Sequence, residues 1–401
     1  MEDWKKNLLV CWGAVFIVSM GMTQMAPILP LYIEHLGIKD PAEIARWSGI
    51  VIGCNFISMA IFLPIWGRFA DKYGRKSMLL RASLWLSLIV TSMGFVSNVY
   101  QLIILRILQG IMSGFQSAVV TLIAAETPKE HSGWALGMLF SGQVGGNLLG
   151  PLFGGYLTEM VGFREDFITI GILCFIAFVA SYFFVHERNF VPAKKVLGFR
   201  DVWDSLPKHK VMMCLFITTL VMQLALASAQ PVISVYISQI SFDVQHIAMV
   251  SGAVFAATGL ASVLAAPYLG RISDKIGAHK VLLGALVFAG ITTIPQAFVE
   301  SSLQLGLLRF LQGLAIAGLL PSVNHLLRKT TPDALTGSVF GYNQSAQYLG
   351  MFLGAVLGGQ MAVFFSIQAI FYVTGVVLLV NAAWVYQTIY KDNAEKTRNT
   401  A

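Results

Sequence analysis

Charge is what this sequence has least of. Only 12% of its 401 residues are Asp, Glu, Lys or Arg, while 56% are hydrophobic; a soluble domain carries about 25% charged residues. That balance excludes a soluble globular protein. Cysteine is scarce as well: Cys11, Cys54, Cys174 and Cys214 are the four, and none stands in a CxxC or ligand-like spacing. Neither a disulfide framework nor a metal site is implied. Also missing are an ATP-binding P-loop, a kinase loop, a nucleophile elbow and a HExxH helix, which leaves an enzyme without its chemistry.

What remains is apolar sequence in runs of helix length. A bilayer crossing needs about 20 such residues. Twelve runs qualify, near 8–33, 47–66, 78–99, 101–124, 133–158, 166–186, 211–236, 247–268, 280–299, 303–327, 337–361 and 367–389. The first carries Pro27 and Pro30 and lacks a small-residue cleavage site, so it reads as a retained helix and not a signal peptide. The net charge of +7 is a matter of topology: with the N-terminus inside, 22 of the 27 Lys and Arg fall on inner segments and only Lys39, Arg46 and Arg164 on outer ones, Arg106 and Arg309 lying within spans. The positive-inside rule then puts both termini in the cytoplasm, and nucleic acid is not an expected partner.

The two halves repeat. At a shift of 203 residues, Gly67-Arg-Phe-Ala-Asp-Lys-Tyr-Gly-Arg-Lys-Ser77 lies on Gly270-Arg-Ile-Ser-Asp-Lys-Ile-Gly-Ala-His-Lys280, and Leu-Arg106-Ile-Leu-Gln-Gly110 on Leu-Arg309-Phe-Leu-Gln-Gly313. At 204, Thr127-Pro128 lies on Thr331-Pro332, and Gly146, Gly150, Gly154 and Gly155 on Gly350, Gly354, Gly358 and Gly359. One offset kept over so much chain marks an internal duplication. Six spans separate equivalent points, an even number, so the copies run parallel about an axis along the membrane normal. The expected fold is an all-α integral membrane protein of twelve transmembrane helices in two pseudosymmetric six-helix bundles, 1–186 and 211–401, joined by a polar cytoplasmic linker at 187–210 and ending in a short cytoplasmic tail.

The turn between spans two and three crowds charge between glycines. Asp71 and Arg75 stand four apart, close enough to pair on one helical face, and Gly67 and Gly74 let helix ends approach. The pattern Gly67-x-x-x-Asp71-x-x-Gly74-Arg75-Lys76 resembles the loop motif of the major facilitator superfamily. The resemblance implies a cytoplasmic latch of Asp71, Arg75 and an acidic residue at the end of span four, for which Glu126 is placed. The second copy keeps Gly270, Asp274 and Gly277 but has Ala278 and His279 after them, which implies a weaker or different latch there.

Arg106 lies in an apolar span with Gly110, Ser113 and Ser117 on roughly its face. A charge at membrane depth costs about 2.5–3.5 kcal/mol on insertion scales, so it should face the bundle interior or a wet cavity. It is either an anchor bonded to carbonyls or a coupling group, since Arg106-x-x-Gln109-Gly110 resembles a motif that the family's drug:proton antiporters use in proton coupling. The copy at Arg309 reads as structural. In span five, small residues every four positions let two backbones approach, and Pro151 bends the helix. Gly146-x-x-x-Gly150-Pro151-x-x-Gly154-Gly155 is similar to the motif that separates the family's exporting antiporters from symporters and uniporters. In span one, Gly21-x5-Pro27-Ile28-Leu29-Pro30 resembles a motif of twelve-span drug exporters, simple kinking being the alternative.

Carboxylates are missing from the middle of every span. All 20 Asp and Glu fall in loops or at span ends, and Glu34, near the outer end of span one, reads as nearest to the membrane interior. Glu34 and the surroundings of Arg106 are therefore the candidates for proton coupling, with Asp71 and Glu126 near the inner face. By pseudosymmetry the cavity is lined from spans 1, 4, 7 and 10, with neutral amides at Gln24, Asn55, Gln116, Gln143, Asn147, Gln223, Gln230, Asn324, Asn343 and Gln347 and aromatic surface such as Phe140. Such a pocket suits bulky amphiphiles better than sugars or phosphates. The resemblance implies a bacterial inner-membrane multidrug efflux protein that confers antibiotic resistance, working as a monomer on small-molecule substrates, driven by protons and needing neither ATP nor cofactor. An exporter of one physiological solute or lipid on the same fold, and a membrane enzyme or sensor, are the competing readings.

Overall fold

In a bilayer every backbone N–H and C=O must find its partner within the segment, which forces apolar runs into helix. The computed structural model describes residues 3–128, 130–187, 209–241, 246–332 and 335–390, without the side chains of Asp3, Asp71 and Tyr390. The linker expected at 187–210 lies outside the described residues apart from Glu187, His209 and Lys210, as does the tail from 391. The first half runs α1 (Asp3–Thr23), α2 (Met25–His35), α3 (Pro41–Tyr73), α4 (Arg75–Met93), α5 (Val99–Ile111), α6 (Phe115–Glu126), α7 (Ser132–Val161) and α8 (Phe163–Phe184). The second runs α9 (His209–Ser228), α10 (Ile233–Ile240), α11 (Ile247–Ile276), α12 (Ala278–Thr293), α13 (Ser302–Thr330), α14 (Thr336–Phe364) and α15 (Ile367–Val385). Ten segments among the described residues are long and apolar enough to cross a membrane. α4 and α7 have the length of a span, but serines, threonines and basic residues in α4 and the glycines of α7 dilute their apolar character.

Several spans that read as continuous are broken, each for a local reason. Span four divides at Met112–Gly114, where Gly114 takes φ 112°, a left-handed conformation that favours glycine. The equivalent residue in the second half is Ala317, and α13 runs through without a break. Span seven divides around Pro231, and span nine ends in a short 3₁₀ turn, Ile294–Phe298, that holds Pro295. Span one has a milder break, a single turn residue at Gln24 that stays right-handed helical and donates its N–H to the Met20 carbonyl, three residues before Pro27, which has no N–H to give.

The chain forms two compact units, and their boundaries do not follow the halves of the sequence. One comprises 1–39, 54–196 and 245–256; the other comprises 40–53, 197–244 and 257–401. In the first, α1 packs along α7 and α4 along α8; in the second, α9 packs along α14 and α12 along α15. The duplication persists down to single hydrogen bonds. Tyr32 donates its hydroxyl to the Met93 carbonyl at 2.8 Å, and 204 residues on Tyr236 donates to that of Gln296 at 3.1 Å. The Asn98 side chain caps α5 by accepting from Gln101 N–H, as the Ser301 hydroxyl caps α13 by accepting from Gln304 N–H. Gly74 and Gly277 start α4 and α12 with φ 96° and 97°.

Candidate functional site

The glycines of α7 make the face on which span one lies. A Cβ at Gly146 would strike the carbonyl of Phe16, one at Gly150 that of Met20, and one at Gly154 the side chains of Gln24 and Ile28. Small residues every four positions therefore bring α1 against α7 backbone to backbone up to its break. The second unit repeats this contact, with Gly350, Gly354 and Gly358 on the carbonyls of Leu220, Leu224 and Ser228. Gly155 and Gly359 serve another crossing. Gly155 abuts the carbonyl of Ala248 in α11, while Gly252 of α11 abuts that of Pro151. In the other unit Gly359 abuts Ala45, and Gly49 abuts Ala355. The four contacts are one crossing made twice.

Three polar groups gather around the break in span one. Gln24 is wholly buried, and its Nε2 donates to Asp166 Oδ2 at 3.3 Å. Asp166 belongs to the first turn of α8, yet none of it reaches the surface. Arg106, 5% exposed, donates from Nη1 to Gln109 Oε1 at 2.7 Å and approaches Met25 Sδ at 3.1 Å. Gln109 in turn donates to Met22 Sδ. The sulfurs flanking Gln24 thus receive the head of span four. Arg309 repeats the bond to Gln312, and there neutral groups complete the amide: Gln312 donates to Thr293, and Gln296 donates to Gln312, while Arg309 Nε and Nη2 are buried without a hydrogen-bond partner.

The remaining expected residues divide. Gln116 donates to Gln143 at 3.0 Å, bridging α6 to α7, and Asn343 donates to Asn324 at 3.3 Å, bridging α14 to α13. Asn55 is buried against Met59 Sδ, Gln223 lies under Gly350, Gln347 is buried and Gln230 half-buried. Phe140 and Asn147 are exposed on α7, and so is Glu34 at the end of α2. Asp166, and not Glu34, is thus the carboxylate in the interior of the first unit. The break at Met112–Gly114 separates Arg106 from Ser113 and Ser117: Ser113 offers its carbonyl to Arg81, and Ser117 is exposed.

At the N-terminal end of α4, Gly74 begins the helix, and Glu187 accepts from the backbone N–H groups of Arg75 and Lys76 at 3.0 and 2.9 Å. A carboxylate on the exposed donors of a helix N-terminus is favoured by both hydrogen bonding and the helix dipole. The side chain of Asp71 is outside the described residues; Glu126 ends α6, and Asp274 is exposed on α11. Arg81 covers the Trp66 ring at 3.3 Å from its centroid and donates to Ser113 O at 2.7 Å, while Trp66 Nε1 donates to the carbonyl of Ile111. The two side chains satisfy carbonyls that the break in span four sets free. Asp166, Glu187 and Trp66 were not singled out in the sequence. Only the repeat could have flagged Asp166, because its counterpart is Ile370.

A duplicated set of long apolar helices, closely packed through glycine, with a buried polar interior, defines a multi-pass helical membrane protein. Comparison narrows the class. The family model described as Major Facilitator Superfamily matches residues 11–261 and 215–401, and the chain belongs to that superfamily of transporters. It is 40% identical to the multidrug resistance protein MdtG of Dickeya zeae over 98% of its own length and 97% of the relative's. With MdtG of Klebsiella pneumoniae it shares 39% over 99% and 96%. Among solved structures, the nucleoside transporter NupG matches with a TM-score of 0.79 at 13% identity, covering 97% of this chain and 100% of its own. The human organic anion transporter MFSD10 (TETRAN) matches with 0.70 at 15%, covering 96% and 100%. At such identities the likeness shows the fold alone.

Proposed function

We propose that this transporter is a multidrug exporter of a bacterial inner membrane, working as a monomer and exchanging lipophilic and amphiphilic compounds for protons by alternating access. Twelve spans with both termini in the cytoplasm complete the reading, which the uneven Lys and Arg distribution supports. The observation that carries it is the 40% identity, over 98% of the chain, with a protein named for multidrug resistance. The site chemistry agrees: the interior is apolar and dotted with amides, and Gln24, Gln116, Gln143, Gln223, Asn324, Asn343 and Gln347 offer neutral hydrogen bonds without selecting one charge pattern.

In this reading the paired glycine crossings are the moving joints. Where Gly252 meets Pro151 and Gly49 meets Ala355, backbones touch without interlocking side chains, so little packing is lost when they part. Arg106 acts at the head of span four on the break in span one, and Asp71, Arg75 and Glu126 form the inner latch, with a weaker counterpart at Asp274. The test uses everted membrane vesicles acidified by respiration and a pH-sensitive dye. Ethidium and tetraphenylphosphonium should each release protons from the lumen of vesicles that contain the protein, and leave empty vesicles unchanged. Silence toward a panel of lipophilic cations, with a response to one physiological solute, would overturn the multidrug reading.

A further inference from the structure

Asp166 and Gln24 form a buried pair that is incomplete as it stands. Both residues are 0% exposed. One hydrogen bond joins them, from Gln24 Nε2 to Asp166 Oδ2 at 3.3 Å. The other two oxygens of the pair, Gln24 Oε1 and Asp166 Oδ1, are buried with no hydrogen-bond partner. An ionised carboxylate offers acceptors only, and the amide oxygen is another acceptor. Two bare acceptors in a dry site are costly; the buried cation nearby, Arg106, donates to Gln109 and Met25, and Asp166 forms no ion pair among the described residues. Neither the Arg46–Glu43 nor the His246–Glu159 ion pair involves Asp166.

A single proton repairs this. Bound to Asp166 Oδ1, it makes the O–H that Gln24 Oε1 lacks, while Nε2–H continues to serve Oδ2: acid and amide then satisfy each other. We propose that Asp166 carries the coupled proton and that Gln24 passes its protonation state to the break in span one. The inference rests on the exchange reading above and names the group that serves it.

The neighbours fit. Gln24 sits between α1 and α2, and a Cβ at Gly154 would lie 2.6 Å from its Cβ and 3.0 Å from Oε1, so the amide is gripped between the glycine face of α7 and the first turn of α8. When the proton leaves, Oε1 and Oδ1 are two acceptors without a donor, and the low-cost response is a change in span one beside Gln24, where Pro27 supplies no N–H to the helix ladder. Other titratable groups stand around the pair but do not pair with it. Arg164 and Glu165 of α8 are exposed; on α2, Tyr32 is bonded to the Met93 carbonyl, and Glu34 and His35 are exposed; Glu159 of α7 holds His246; the charged groups of α4 lie at its other end. The fold does not require a carboxylate at this place: in the duplicate the buried polar contact between the same two spans is neutral, Ser228 to Thr374 at 2.7 Å. In the duplicate, Gln24 corresponds to Ser228 and Asp166 to Ile370, which is buried beside Phe371 just as Asp166 is beside Phe167. On the topology proposed above the pair lies toward the outer end of spans one and six. The proton therefore enters from the outer water while that end is open and leaves to the cytoplasm after the switch; no other reactant is needed.

The test uses purified full-length protein. Infrared difference spectra of wild type against Asp166→Asn at pH 7 should contain the carbonyl band of an un-ionised carboxylic acid, sensitive to exchange into D₂O, and Gln24→Leu should move that band by removing the amide partner. In unbuffered detergent solution, tetraphenylphosphonium should release a proton from wild type and none from Asp166→Asn, which binds the cation with no pH dependence. A wild type without the acid band, a band indifferent to Gln24→Leu, or proton release from Asp166→Asn equal to wild type would each overturn the assignment. If wild type neither binds the cation nor releases a proton, the exporter reading fails instead, and the infrared band still decides for or against the protonated pair.

Discussion

Arg106 is a buried charge whose Nη1 meets a neutral amide oxygen and a polarisable sulfur, Gln109 Oε1 at 2.7 Å and Met25 Sδ at 3.1 Å. Thioether sulfur is a weak acceptor, so the bond to Gln109 is the stronger of these two contacts. Arg106→Ala takes from Gln109 the donor it uses, a loss worth about 1–3 kcal/mol for a buried group, and proton-driven ethidium efflux should fall to background while the protein still inserts. Arg106→Lys should recover only part of the efflux, because an ammonium lacks the planar fork. Efflux near the wild-type rate in Arg106→Ala vesicles would leave the residue an anchor only.

Among the elements, α4 depends on a residue far away in sequence. Glu187 receives the N–H groups of Arg75 and Lys76 at its start, the service of an N-cap supplied from the end of another span. Glu187→Ala should lower stability by about 0.5–2 kcal/mol, as for other lost caps, read as a drop in Tm, with Glu187→Gln falling between. The glycine crossings make a second prediction. A Cβ at Gly252 or at Gly49 runs into a backbone carbonyl that cannot rotate away, and overpacking of this kind costs about 1–3 kcal/mol. Gly252→Val and Gly49→Val should each slow efflux and speed alkylation of a cysteine introduced beside the crossing, by similar amounts because the two sites are duplicates. Gly284→Ala, where nothing lies within 4 Å, is the control and should leave both readouts unchanged.

For the whole molecule the prediction is orientation. With 22 basic residues on inner segments against 3 on outer ones, reporters at either end should report the cytoplasm: alkaline phosphatase fused after residue 401 should be inactive and a fluorescent protein there bright. An active phosphatase would reverse the orientation and with it the direction of proton entry at Asp166. The units themselves are duplicates that diverge around these arginines, since the Gln312 that takes Arg309 is itself bonded to Gln296 and Thr293, while the Gln109 that takes Arg106 donates to the Met22 sulfur of span one. The duplication that builds both halves thus leaves the unusual polar groups on one side.

Composition, period and repeat were enough to establish the membrane helices, the duplication, the glycine face of span five and the burial of Arg106, because each depends on side-chain chemistry read along one helix. The family motif around Asp71 and Arg75 was legible for the same reason. Where spans break was less so: Gly114 and Pro231 are visible as residues, but only the folded backbone shows that they interrupt a span. Tertiary structure alone decided which carboxylate is buried. Glu34 and Asp166 both stand at span ends, and local sequence cannot rank them, since burial depends on what another helix lays across the end. Asp166 is wholly buried against Gln24, while Glu34 is exposed. Burial is a sum over contacts from distant parts of the chain, which no single helix carries in its own sequence.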